Sequence, residues 1–348
     1  MRVIMETTAT TSLPLTNEGY AAPDNKVSST LTQVGQWINT NTEKKPNADI
    51  WDSYNQYATD DTAGMCYVIR LEDGSFIIVD GGYNTEAHAD NLYKVLEKQA
   101  EGRHIVIAAW IFTHAHADHA GTFIAFTEKY ASGVTVESFI YNFPSDVSVE
   151  LGTSTDNGDA KAVKNAMAAY PNAKTVVGHA GQVHQIRNAT VNILYTYEMM
   201  MPHKLLDYNT TSMVFNIELE GSKILFLGDA GGETDDNNGT LTRMLRIYSA
   251  SVLNANIVQV AHHGIDNHSK VTDFYDEIKD SVKYTLIPVA KDKIKISGDT
   301  YVDIDERVAY KTLTKNRIIA GSSVTVLTLT SGGNVSKGNS ISIADYVK

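Results

Sequence analysis

The stretch Ile105-Val106-Ile107-Ala108-Ala109-Trp110-Ile111-Phe112-Thr113-His114-Ala115-His116-Ala117-Asp118-His119 decides how this chain is read. Its first eight residues form a continuous apolar run, the pattern of a strand buried on both faces. The next seven hold three histidines and an aspartate. His114 and His116 are two apart, so in an extended segment their side chains leave the same face. Asp118 and His119 follow at once and can address a second point as the chain turns into a helix. Four side chains of the types that bind Zn²⁺ or Fe²⁺ in six positions are poorly explained as a capping turn, because buried unpaired imidazole and carboxylate groups are costly.

Working outward, MCYVIRL (65–71) and SFIIVD (75–80) flank a turn with Asp73-Gly74 and read as a hairpin. Ala89, Leu92, Val95 and Leu96 give a helix over 86–100, and a second helix is expected over 119–131. Strand-like runs follow at 134–142, 174–178, 182–186, 190–197, 212–219 and 223–228, with a helix over 159–170 stopped by Pro171. Beyond these come a helix at 237–249, a strand at 256–261, a helix at 270–280, a strand at 283–290, a helix at 304–316 and a strand at 323–330. No Pro-rich linker and no repeat of fixed period divides the chain. Residues 1–25 read as a loose tail and 26–60 as irregular structure. The organisation expected is therefore an N-terminal extension over 1–60 and one α/β domain over 61–348, its helices packed outside the sheets.

Composition removes several function classes. The 348 residues include 29 Lys and Arg against 41 Asp and Glu, a net charge of −12, which disfavours stable nucleic-acid binding. The 43% apolar and 20% charged content fits a chain that buries a sizeable core. The longest wholly apolar run, 105–112, is far short of the ~18 residues that span a bilayer. A soluble protein is expected, in the bacterial cytoplasm or, where a leader has been removed, outside the cell. The single cysteine, Cys66, excludes a disulfide framework and a Cys-rich zinc cluster. Any metal must be held by histidine and carboxylate.

His-x-His-x-Asp-His after an apolar strand resembles the metallo-β-lactamase-fold hydrolases. FIIVD-Gly81-Gly82, with Asp80 ending an early strand, KILFLGDA with Asp229, and IVQVAHHG with His262 and His263 follow that family's order. The segments DYNTTSMVFNIELEGSKILFLGDA (207–230) and VAHHG (260–264) are similar to the soluble hydrolase domain of competence-type DNA-uptake channel proteins, and to related phosphodiesterases and phosphorylcholine esterases. The resemblance implies an αββα sandwich of four layers, with two mixed sheets flanked by helices. It also implies a binuclear centre of two divalent ions, zinc first, with manganese or iron as alternatives.

In that reading His114 and His116 hold one ion, Asp118, His119 and His263 the other, and Asp229 bridges them. Many members carry one more histidine ligand ahead of the bridging aspartate. His179, His184 and His203 are the candidates; His203, nearest Asp229, is the expected one, with Asp207 or Asn209 as substitutes. Asp80 would orient a ligating imidazole, a role that competes with simple turn formation. His262 would face the substrate, although the order of His262 and His263 could be reversed. His88, His104 and His268 read as surface residues. The activity implied is hydrolysis by metal-activated hydroxide, with Asp118 or Asp229 as proton acceptor. A phosphodiester, small or polymeric, is the leading substrate, and a carbon ester, lactone, thioester or β-lactam is the alternative; a di-iron redox enzyme, which in this family typically has Glu where His116 stands, is the third reading and a non-catalytic metal-binding module the fourth.

Overall fold

The computed structural model describes residues 13–35, 64–144, 160–200, 208–231, 239–264, 272–289 and 311–348. Strand β1 (Ser29–Val34) precedes the hairpin of β2 (Cys66–Arg70) and β3 (Phe76–Asp80). Helix α1 (Glu86–Ala100), β4 (Ile105–Ile111), α2 (Ala117–Tyr130), β5 (Val134–Val136), β6 (Ser138–Tyr141), α3 (Ala160–Met167) and β7 (Lys174–Val177) follow. Next come β8 (Val183–Ile186), β9 (Ala189–Tyr195), β10 (Val214–Leu219), β11 (Ser222–Phe226), α4 (Thr240–Ile247), α5 (Ala250–Leu253) and β12 (Ile257–Gln259). The chain closes with α6 (Thr272–Ile278), β13 (Tyr284–Ile287), β14 (Arg317–Ile319), β15 (Ser323–Thr330), β16 (Asn334–Lys337), β17 (Ile341–Ser342) and α7 (Ile343–Tyr346).

Two sheets result. The first runs β16-β15-β1-β2-β3-β4-β6-β7, with β5 also on β4 and β17 on β15; the second runs β14-β13-β12-β11-β10-β9-β8. Both are mixed: β3, β4, β6 and β7 are parallel, as are β11 to β14, while β1–β2 and β10–β11 are antiparallel.

Period-two alternation sorts the strand residues into layers. Val68 and Ile78 turn to one side with Leu92, Leu96, Phe123 and Phe126 of α1 and α2. Their neighbours Tyr67, Ile69, Ile77 and Val79 turn to the other and meet Ile193, Phe215, Ile217 and Phe226 of the second sheet. Behind that sheet, Leu225 and Val258 pack on Leu241 and Met244 of α4 and on Phe274 and Ile278 of α6. Helix, sheet, sheet, helix is the four-layer αββα sandwich that the motifs implied.

Strand β1 corrects the sequence reading. Ser29–Val34 falls in the stretch expected to be irregular, yet every one of its residues is buried, between β2 and β15. Its polar side chains disguise it. Gln99 Nε2 donates to Thr32 Oγ1, Gln33 accepts from the Tyr67 hydroxyl, and Gln33 donates to the Ile318 carbonyl. Strands β14, β16 and β17 were also not anticipated, and the run 134–142 divides into β5 and β6. Residues 304–310 of the expected helix at 304–316 lie outside the described residues, as do 1–12 and 36–60 of the expected extension.

Candidate metal centre

The donor residues stand on loops leaving the carboxyl ends of parallel strands: β3 and β4 in one sheet, β11 and β12 in the other. Asp80 closes β3 with a left-handed φ of 55° and is fully buried. Its Oδ1 accepts from the Thr113 amide at 2.8 Å, and its Oδ2 accepts from the Thr113 hydroxyl at 2.7 Å. The same Oδ2 lies 2.7 Å from His119 Nδ1, which leaves Nε2 of that ring turned to the opposite side. The Trp110 indole donates to the Asp80 carbonyl, so the first sheet's core anchors this carboxylate. Gly121 allows the loop after Asp80 to lie on α2: a Cβ there would come within 2.5 Å of the Asn84 amide.

On the second sheet, Asp229 follows Gly228, whose φ is 55° and whose added Cβ would meet Thr113 Cβ at 2.9 Å. Only glycine lets the two motif loops approach so closely. The Asp229 amide donates to Ser212 Oγ. His262 and His263 form a pair of successive left-handed residues, φ 49° and 57°. That turn separates them: His263 is buried, its Nδ1 bonded to the Pro288 carbonyl at 2.9 Å, while the His262 side chain is 29% exposed.

Two groups of donor atoms result, each with all members within 4.8 Å of one another: Asp118, His119, Asp229 and His263 in one, and His114, His116 and Asp229 in the other. Asp229 belongs to both. His114 Nε2 faces His116 Nδ1 at 3.0 Å, and His119 Nε2 faces His263 Nε2 at 3.2 Å. Two imidazole nitrogens this close satisfy each other only when one is protonated and the other is not. Asp229 Oδ1 lies 3.1 Å from His119 Nε2 but accepts no hydrogen bond among the described residues. Converging lone pairs and an unsatisfied buried carboxylate oxygen suit a cation.

The protein's own charges point the same way. Burial drives the His114 imidazole well below its ordinary range, and neighbouring His119 adds to that push. At His119 burial acts downward too, but Asp229, Asp118 and Asp80 outweigh it and hold the ring well above its usual value. His263 rises to about 9 because Asp229 and Asp118 overcome burial. Burial alone would raise the Asp229 carboxyl, yet His119 and His263 keep it well below the carboxylate range. The pocket thus favours positive charge beside its carboxylates, as proton or as metal ion.

Of the residues expected at the site, Asp80, His114, His116, Asp118, His119, Asp229 and His263 are brought together, and His262 stands at the rim, its Nε2 3.9 Å from Asp229 Oδ2. His203 and Asp207 lie outside the described residues, as does His268. His179 and His184 belong to neither donor group: His179 Nδ1 is 3.1 Å from Glu198, and His184 Nδ1 accepts from the Leu15 amide. Asn209 keeps a buried Oδ1 with no hydrogen-bond partner among the described residues, beside Tyr208, whose ring is 5.7 Å from that of His116. His88 is a correction. Read as a surface residue, it is buried on the inner face of α1, within the turn that the Thr85 hydroxyl caps. Thr113 and Ser212 were not singled out as supports. Thr113, at the head of the quoted motif, could have been found; the Ser212 hydroxyl is 17 residues from Asp229 and gave no signal.

Residues 59–272 match the family described as the metallo-beta-lactamase superfamily. The chain belongs to that superfamily. It is a group made up mostly of hydrolases. Among solved structures, this superfamily member is similar to the metallo-beta-lactamase fold protein YhfI from Bacillus subtilis, at 13% identity and a TM-score of 0.45, covering 90% of this chain and 100% of that one. It is also similar to a diphosphatase of the PhnP family, at 12% identity and a TM-score of 0.41, covering 90% and 99%. Zn²⁺-bound PqqB from Methylobacterium extorquens shares 10% identity, with a TM-score of 0.47 and coverage of 86% and 100%. No protein with a curated description matches the sequence. No helix among the described residues is long and apolar enough to cross a membrane.

Proposed function

We propose that this chain is a binuclear metal-dependent hydrolase acting on a phosphodiester. One observation carries the reading: six histidine and aspartate side chains from three loops fall into two donor groups that share Asp229. His114 and His116 would hold one divalent ion, and Asp118, His119 and His263 the other. The third protein donor to the first ion would be His203 or, through its unpartnered oxygen, Asn209. Zinc suits the imidazole-rich set, and manganese or iron would fit the carboxylates.

Two ions bound there would supply a hydroxide nucleophile near neutral pH and would offset charge developing on oxygen. The protein's own groups do the rest. Asp80 accepts a hydrogen bond from the Nδ1–H of His119, fixing its tautomer. Asp118, partly open to solvent, accepts the proton released on attack. His262, at the rim, donates to the oxygen of the leaving group or of the substrate. Two divalent ions against Asp118 and Asp229 leave a positive pocket in a chain of net charge −12, which draws in an anionic diester. The similarity of 207–230 and 260–264 to phosphodiesterases supports the same substrate.

The test sets bis-p-nitrophenyl phosphate, a thioester and nitrocefin side by side, with metal analysis of the purified protein. Turnover of the diester, abolished by His116→Ala, is expected. Turnover of the thioester or nitrocefin alone moves the activity to acyl carbon. Protein that takes up no transition metal and turns over none of the three overturns the hydrolase reading.

A further inference from the structure

Gln259 ends β12 and is fully buried, in direct continuity with the His262–His263 turn. Its side chain makes four hydrogen bonds, all to backbone. Oε1 accepts from the amides of Leu227 and Gly228, each at 2.8 Å, and Nε2 donates to the carbonyls of Gly228 at 3.1 Å and Val260 at 2.5 Å. Four is the full capacity of a primary amide: two acceptor sites and two donors. The orientation is unambiguous, since the flipped amide would set its N–H groups against two amide N–H groups and its oxygen against two carbonyls. The Gly228 carbonyl also accepts from the His262 amide at 3.0 Å, closing the link between the two loops.

One loop carries Asp229 and the other His263, whose Nε2 lies 3.4 Å from Asp229 Oδ2. We propose that Gln259 is a positioning residue that locks the Asp229 loop to the His263 turn and so sets the spacing of metal donors from adjacent strands. No other side chain meets the need. Glutamate offers no donor at neutral pH, asparagine is one carbon short, and an apolar residue removes all four hydrogen bonds, leaving the Gly228 carbonyl with the His262 amide alone. The proposal rests on the metal-centre reading above.

The experiment titrates Zn²⁺ alone into metal-free protein against a chromophoric chelator, for wild type, Gln259→Glu, Gln259→Met and the control Asn216→Val. Asn216 is buried in β10, two strands away from β12 in the same sheet, where it accepts from Asn192, and it belongs to neither donor group. Unfolding midpoints of the metal-free proteins are measured in parallel. All three variants should unfold more easily than wild type, whereas only the two Gln259 variants should lose Zn²⁺ affinity, by at least tenfold. Gln259→Met carries no charge into the core and keeps the volume, so it decides the matter should Gln259→Glu fail to fold. Affinity in the Gln259 variants within twofold of Asn216→Val overturns the clamp and leaves the metal centre standing. Wild type that takes up no Zn²⁺ overturns the centre, and the clamp with it.

Discussion

Asp80 is fully buried and belongs to neither donor group, yet it reaches the centre through His119. Asparagine at this position keeps the size of the side chain and tolerates the left-handed backbone better than aspartate does. Its amide cannot accept from the Thr113 amide, the Thr113 hydroxyl and His119 Nδ1 all at once. Asp80→Asn should therefore lower the melting temperature of the metal-free protein, because a buried hydrogen bond to Thr113 or His119 is lost, and should also lower metal affinity 10- to 100-fold, the usual effect of losing an outer partner of a ligating imidazole. Chelator competition measures the second quantity and calorimetry the first; an unchanged affinity would falsify the orienting role. At this scale the motif residues were readable because their chemistry is local, with four donors in six positions. His88 and His184 were not, because burial of a single histidine depends on partners far away in the chain.

Among the elements, the segment around Leu15 lies along the edge strand β8. Leu15 donates to His184 Nδ1 and accepts from the Gln185 amide, and the Asn17 side chain bridges both backbone groups of Arg187. Burial lowers the His184 pKa from 6.5 to about 4. The fold thus favours the neutral ring, so its contribution to stability is complete above pH 6.5 and declines as the pH falls toward 4, where the proton takes the place of the Leu15 N–H. Protection of the Leu15 amide from hydrogen exchange, taken relative to its intrinsic rate at each pH, should fall across that window in wild type. In His184→Asn, whose oxygen can accept the same N–H without titrating, the rate should keep only its intrinsic pH dependence. The strands with apolar runs or alternation, β2 to β4, β10 and β11, could be read from sequence. Strand β1 could not, because Ser29, Thr30, Thr32 and Gln33 imitate a surface loop until Tyr67, Gln99 and the Ile318 carbonyl supply partners.

For the whole molecule, the donors divide between the sheets: His114 to His119 follow β4 of the first, and Asp229 and His263 follow β11 and β12 of the second. A cation bound by both groups ties the two halves of the sandwich together at one edge. Binding to the folded state alone adds about 2.7 kcal/mol at a free metal concentration a hundredfold above Kd. The melting temperature should accordingly climb with added Zn²⁺ and fall on chelation, and a scanning calorimeter records both; a melting temperature indifferent to metal would separate the fold from the centre.

The paired left-handed histidines carry one more consequence. Each non-glycine residue in that region costs about 1–2 kcal/mol, and two stand in succession, His263 buried and His262 at the rim. Glycine at 262 would relax the turn, so His262→Gly should melt higher than wild type while losing the side chain proposed to face the substrate. A screen that rewarded heat resistance alone would discard this histidine early, and would return a sturdier protein with a poorer catalyst inside it.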